Sequence, residues 1–64
     1  MTVSQLIANL KYKHCGYQIY IKDLDCITHN TFKLEKDFKY NSNEKVFNYF
    51  CNDDRQIVDI YLDD

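Results

Sequence analysis

Residues 46–62, VFNYFCNDDRQIVDIYL, decide the fold. The second half alternates cleanly. Val58, Ile60 and Leu62 share one side, and Ile57, Asp59 and Tyr61 share the other, the period of a half-buried strand. The preceding NDDR is a strong turn. The run before that turn admits two readings. As a strand, Val46, Asn48 and Phe50 face one way and Phe47, Tyr49 and Cys51 the other. As a helix capped by Ser42, Val46, Phe47, Tyr49 and Phe50 form an apolar stripe. Aromatic and β-branched content favours the strand. Two strands joined by a short turn make a hairpin, which is the expected arrangement.

Moving outward, residues 17–23, YQIYIKD, repeat the alternation. Tyr17, Ile19 and Ile21 lie on one face, and Gln18, Tyr20 and Lys22 on the other. Residues 2–11 read as a helix, because Val3, Leu6, Ile7 and Leu10 fall on one helical face. Thr2 is the expected N-cap, with Gln5 completing a capping box. A shorter helix capped by Ser4 is the alternative. Gly16, the only glycine, supplies a left-handed turn or a close backbone approach between helix and strand.

The middle of the chain is less legible. DLDCITHN (23–30) has turn formers at both ends and an apolar centre. A second strand starting at 31–33 pairs back onto the first, with Phe32 and Leu34 alternating. A helical turn across FKLEKDF competes with it. YNSNE (40–44) is a polar break.

These elements predict an α+β fold, with an N-terminal helix packed on one face of a three- or four-stranded antiparallel sheet. The helix contributes Leu6 and Leu10 to the core, and the sheet Ile19, Ile21, Val58 and Ile60. The 64 residues make one small domain (1–64). A chain this short buries only roughly 60% of its unfolded surface. It has no room for a deep catalytic cleft beside a core. No run is apolar enough to span a bilayer, and MTVSQLIANLKYK lacks a secretory apolar core. The three cysteines, Cys15, Cys26 and Cys51, are an odd number. They predict reduced thiols, some of them in the core, and a cytoplasmic location.

No chemical motif is complete. Cys26 and His29 have a metal-compatible spacing, and His14, Cys15 and Cys51 are further potential ligands, but a paired CxxC element is missing. No metal and no cofactor is expected. A Cys nucleophile needs a base and an orienting group, and no motif supplies them. Asp23 and Asp25 read as solvated turn acids rather than a general acid–base pair. The expectation is a protein that is not an enzyme.

Surface recognition remains. The net charge is −2, which argues against general nucleic-acid binding. Acidic residues crowd the C-terminal end. Asp53, Asp54, Asp59, Asp63 and Asp64, with Tyr49 and Tyr61, are the candidate partner-binding residues, since charge steers association and aromatics supply contact area. A homodimer through an open edge strand is a second physical outcome. Lys33, Lys36 and Lys39 recur at period three, and they are the candidate phosphate contacts of the alternative reading, a small nucleic-acid-binding or regulatory protein.

The opening MTVSQLIANL, the strand GYQIYIKD and the closing DDRQIVDIYLDD together resemble small accessory proteins of bacterial phages and prophages. The resemblance covers both ends of the chain and not residues 24–45. Where those proteins carry a proline-containing, Asp-rich turn after the helix, this chain has KYKHCG. The resemblance implies a phage or mobile-element context. Such proteins often bind and inhibit host machinery, including restriction and CRISPR effectors, so the implied partner is a host protein.

Overall fold

The structure is a computed structural model and describes residues 1–63. Its elements are helix α1 (Val3–Leu10) and strands β1 (Gln18–Lys22), β2 (Thr28–Lys33), β3 (Val46–Asn52) and β4 (Ile57–Leu62). The α+β expectation holds, with four strands. Helix α1 starts as its sequence dictates. The Thr2 hydroxyl accepts from the Gln5 N–H, and the Gln5 side chain accepts from the Thr2 N–H. That capping box satisfies two donors that a helix N-terminus otherwise leaves unpaired.

The sheet corrects one expectation: it is mixed, not antiparallel. Its strand order is β2-β1-β4-β3. Two antiparallel hairpins, β1–β2 and β3–β4, lie side by side through a parallel β1–β4 seam. The cause lies in residues 34–45, here called the strap. This segment carries the chain back along the length of the sheet, so that β2 and β3 run the same way. Parallel neighbours need such a long return. The seam puts at the centre the two strands that carry buried residues, in the register Ile19↔Val58 and Ile21↔Ile60.

One face of the sheet is covered by α1 and the strap. Val3, Leu6, Ile7 and Leu10 of the helix pack with Ile19, Ile21, Val58, Ile60 and Leu62 of the sheet and with Leu34 of the strap, all buried. The strap is anchored at several points. Ser4 Oγ accepts from the Ser42 N–H (2.6 Å) and donates toward the carbonyls of Tyr40 (2.6 Å) and Ser42 (2.9 Å). The Val3 N–H donates to the Glu44 carbonyl. Phe32, Phe38 and Tyr40 stack over the β2 side of the core, with adjacent centroids 4.5 and 5.1 Å apart. Gly16 adopts φ +93° and donates to the Leu34 carbonyl. A Cβ there meets nothing within 4 Å, so the backbone conformation, not crowding, calls for glycine.

The cysteines depart from expectation. Cys15, Cys26 and Cys51 are all exposed, none in the core. Cys15 and Cys26 sit in connections. Cys51 lies on the outer strand β3, where Val46 alone is half-buried and the rest are exposed. Strand β3 also starts irregularly. Its register slips between Val46 and Asn48, so Val46 pairs with buried Leu62 while Asn48 pairs with Tyr61. Val46 and Asn48 therefore do not share a face, as strict alternation predicts; Phe47 is the residue inserted at the bulge. No helix among the described residues is long and apolar enough to cross a membrane.

Candidate functional site

The face of the sheet opposite α1 has no covering layer among the described residues. Alternation along the strands places Gln18, Tyr20 and Lys22 of β1 there, beside Ile57, Asp59 and Tyr61 of β4. Thr31 of β2 joins them, because its hydroxyl accepts from Gln18 Nε2 at 2.8 Å. From β3 come Asn48 and Phe50, the register partners of Tyr61 and Asp59.

Two kinds of chemistry meet on this face. Lys22 Nζ pairs with Asp59 Oδ1 at 3.1 Å and lies 5.8 and 5.9 Å from the ring centroids of Tyr20 and Tyr61. The Asp59 carboxylate raises the Lys22 pKa, against the opposing pull of desolvation. The centre of the face is thus charge-balanced. Beside it, Leu24, Phe47, Phe50 and Tyr61 line a shallow depression. Leu24 is 47%, Phe47 62% and Phe50 57% exposed. Phe50 meets Tyr61 edge-on at 5.9 Å.

The loop that presents Leu24 is organised by one carboxylate. Asp23 Oδ1 accepts from the N–H groups of Asp25 (2.9 Å) and Ile27 (3.1 Å), and Oδ2 lies 2.8 Å from His29 Nε2. These contacts, the His29 bond first, hold the Asp23 carboxyl below the usual carboxylate pKa. Cys26 takes the left-handed conformation, φ 65°, at the tip.

The predicted partner-binding residues fall in several places. Asp53, Asp54 and Asp59 line one depression with Phe50 and Cys51. Asp53 and Asp54 belong to the β3–β4 turn, and Asp59 to the centre of the open face. Asp63 follows the other end of β4, a strand length of about 20 Å from the turn. Asp64 lies outside the described residues. Tyr61 is on the open face. Tyr49, paired with Ile60, is on the opposite face. Of the lysines, Lys33 ends β2 opposite Gln18, while Lys36 and Lys39 sit on the strap beside α1. Sequence reasoning left Leu24, Phe50 and Lys22 out of the site. The signal for Lys22 was its shared face with Tyr20. Alternation groups Phe47 with Tyr49, and the bulge separates the two.

Asp53 also ties the β3–β4 turn to the segment after α1. The Tyr17 hydroxyl donates to Asp53 Oδ1 at 2.8 Å, and His14 Nε2 lies 4.0 Å from the same oxygen. The bond to Asp53 raises the Tyr17 pKa. Burial, then the Asp53 charge, raises the Cys51 thiol, the opposite of what a thiolate nucleophile needs. No cluster of three or more His, Cys, Asp or Glu side chains among the described residues is placed to hold a metal.

On each outer strand an Asn side chain occupies a backbone donor. Asn48 Oδ1 accepts from the Tyr49 N–H, and Asn30 Oδ1 from the Thr31 N–H. Each contact withholds one edge donor from an added strand. No family model matches the chain, and neither a curated protein nor a solved structure is significantly similar to it.

Proposed function

We propose that this protein is a non-enzymatic binding module that docks its open sheet face on another protein. One observation carries the reading: Leu24, Phe47, Phe50 and Tyr61 form a single apolar patch on a sheet face that the chain itself does not cover. Contiguous exposed apolar side chains rimmed by polar groups mark interaction surfaces, and aromatics are the strongest contact residues. The acidic rim of Asp53 and Asp54, which adjoins Phe50, favours a partner with a basic surface. Nucleic-acid enzymes present such surfaces. The phage-like termini point the same way, to a cytoplasmic phage or prophage factor that inhibits a host defence or nucleic-acid-handling protein, in the manner of anti-restriction and anti-CRISPR proteins.

A second copy of the chain is the competing occupant of this face, since the Lys22–Asp59 pair leaves its centre without net charge. Edge-strand dimerisation is disfavoured by the Asn48 and Asn30 contacts. Charge reversal separates the occupants. In an Asp53→Lys/Asp54→Lys variant, association with a basic host protein slows, and salt slows the wild type in the same way. A mass that stays dimeric in the wild type and in the variant, with no host protein retained, contradicts the reading.

A further inference from the structure

The layer formed by α1 and the strap carries a second surface that the open sheet face does not use. Two adjoining depressions run along the exposed side of α1. One is lined by Ala8, Lys11, Tyr12, Cys15 and Lys36. The other is lined by Ile7, Ala8, Lys11, Lys39 and Asn41, among others. They share Ala8 and Lys11, so they form one continuous groove between helix and strap. Three ammonium groups border it, and no carboxylate among the described residues lines either part. Glu35 and Asp37 flank Lys36 on the strap without lining the groove, and further negative charge lies at the Asp53–Asp54 turn. The floor between the lysines is the exposed Ala8, with Ile7 buried beneath it in the core. At one end Tyr12 is 90% exposed, a large aromatic that the core does not use.

We infer that this groove binds a short stretch of single-stranded nucleic acid. Lys11, Lys36 and Lys39 take the phosphates, and Tyr12 with the apolar floor takes the base faces. The combination selects this occupant. An acidic peptide matches the lysines but brings a planar apolar surface only where it carries an aromatic residue, whereas every nucleotide carries one. A single strand brings both, and aromatic platforms beside a cationic groove are how sequence-tolerant single-strand binders work. A duplex presents phosphates but keeps its base faces stacked inside. Helix α1, with eight residues, is about 12 Å long, room for roughly three or four stacked nucleotides at ~3.4 Å each. The sequence pattern pointed to Lys33 with Lys36 and Lys39. The fold replaces Lys33, which ends β2 away from the groove, with Lys11.

Fluorescence anisotropy with a labelled oligothymidylate of about twelve nucleotides tests this. Three phosphate contacts on a single strand give a salt slope near −2, so affinity falls about 20-fold between about 50 and 200 mM salt. Lys11→Glu/Lys39→Glu weakens binding by about tenfold or more at low salt. Tyr12→Ala weakens it roughly fivefold or more. Lys33→Ala and Phe50→Ser leave it unchanged, which separates this surface from the open sheet face. Circular dichroism checks that each variant folds; the groove residues to be changed lie outside the buried core. Absence of binding at low salt overturns the inference. So does binding that survives the double charge reversal, a duplex bound as tightly as the single strand, or displacement of the oligonucleotide by polyglutamate at equal charge.

Discussion

Lys22 and Asp59 meet across the parallel seam of β1 and β4, Nζ to Oδ1 at 3.1 Å, in the middle of the uncovered sheet face. The two residues lie 37 positions apart in the chain, and their contact exists only because the two hairpins join in parallel. It tests the topology as well as the surface. In a double-mutant cycle with Lys22→Met and Asp59→Asn, a coupling of about 0.5–1 kcal/mol is expected for a partly exposed pair. The Lys22 ammonium, followed by NMR, titrates lower in Asp59→Asn than in the wild type. A Lys22 titration unchanged by Asp59→Asn places the two side chains apart and contradicts the seam.

Leu34 is the one strap residue in the buried core among the described residues. Leu34→Ala is expected to cost about 2–5 kcal/mol, comparable with the whole stability of a domain this small. Ile19→Ala and Ile60→Ala carry the same expectation. Urea unfolding measures it. A Leu34→Ala variant as stable as the wild type shows that the strap does not pack on the sheet.

Ser4 fastens the strap to α1 through its hydroxyl. Ser4→Ala leaves the Ser42 N–H without its partner and is expected to cost about 1–3 kcal/mol. Hydrogen exchange separates this effect from general destabilisation. Protection falls first at the Ser42 amide, while the amides of the β1–β4 seam keep theirs.

The Asp23 carboxylate gives a pH signature. Its folded pKa lies below the unfolded value of about 3.9. Such a group stabilises the fold above the unfolded pKa, and its contribution is lost as pH falls through the lower folded value. The loop at residues 24–28 therefore holds its structure as pH passes below ~4 and loosens only under stronger acid. In His29→Ala the Asp23 titration moves upward, because the leading cause of the depression, the bond from the ring, is removed. Carboxyl-carbon NMR reads both, and an Asp23 midpoint at or above the unfolded value contradicts the loop geometry.

The sequence carried the local parts of this structure. The 3.6-residue period at Val3, Leu6, Ile7 and Leu10 and the two-residue period at Ile19, Ile21, Val58 and Ile60 name most of the core. The Thr2–Gln5 box marks the helix start, and NDDR the second hairpin. The parallel seam was not legible, because pairing between hairpins leaves no mark in either one. It depends on the path of residues 34–45, whose only apolar anchors, Leu34, Phe38 and Tyr40, do not follow a single period. The site was legible in part. Tyr20 stood out as the aromatic on an otherwise polar strand face, and Tyr61 as the aromatic beside Asp59. The bulge at Phe47 defeated simple alternation, turning Phe47 toward Phe50 and Tyr61 while Tyr49 went to the other side. The acidic residues looked like one cluster in sequence, but an extended strand separates Asp63 from Asp53 and Asp54.

The central claim, that the open sheet face is a protein-docking surface, is tested most directly by parallel affinity capture from bacterial host lysate, read by quantitative mass spectrometry. The baits are the wild type, Phe47→Ser/Phe50→Ser, and Tyr12→Ala. Both phenylalanines are exposed, so the double variant is expected to fold, and circular dichroism checks this. The account predicts a host protein retained by the wild type and by Tyr12→Ala, and reduced about tenfold or more by the double variant, as loss of two aromatic contacts of ~1 kcal/mol or more each requires. A host protein held equally by all three baits, or none held by the wild type, contradicts it.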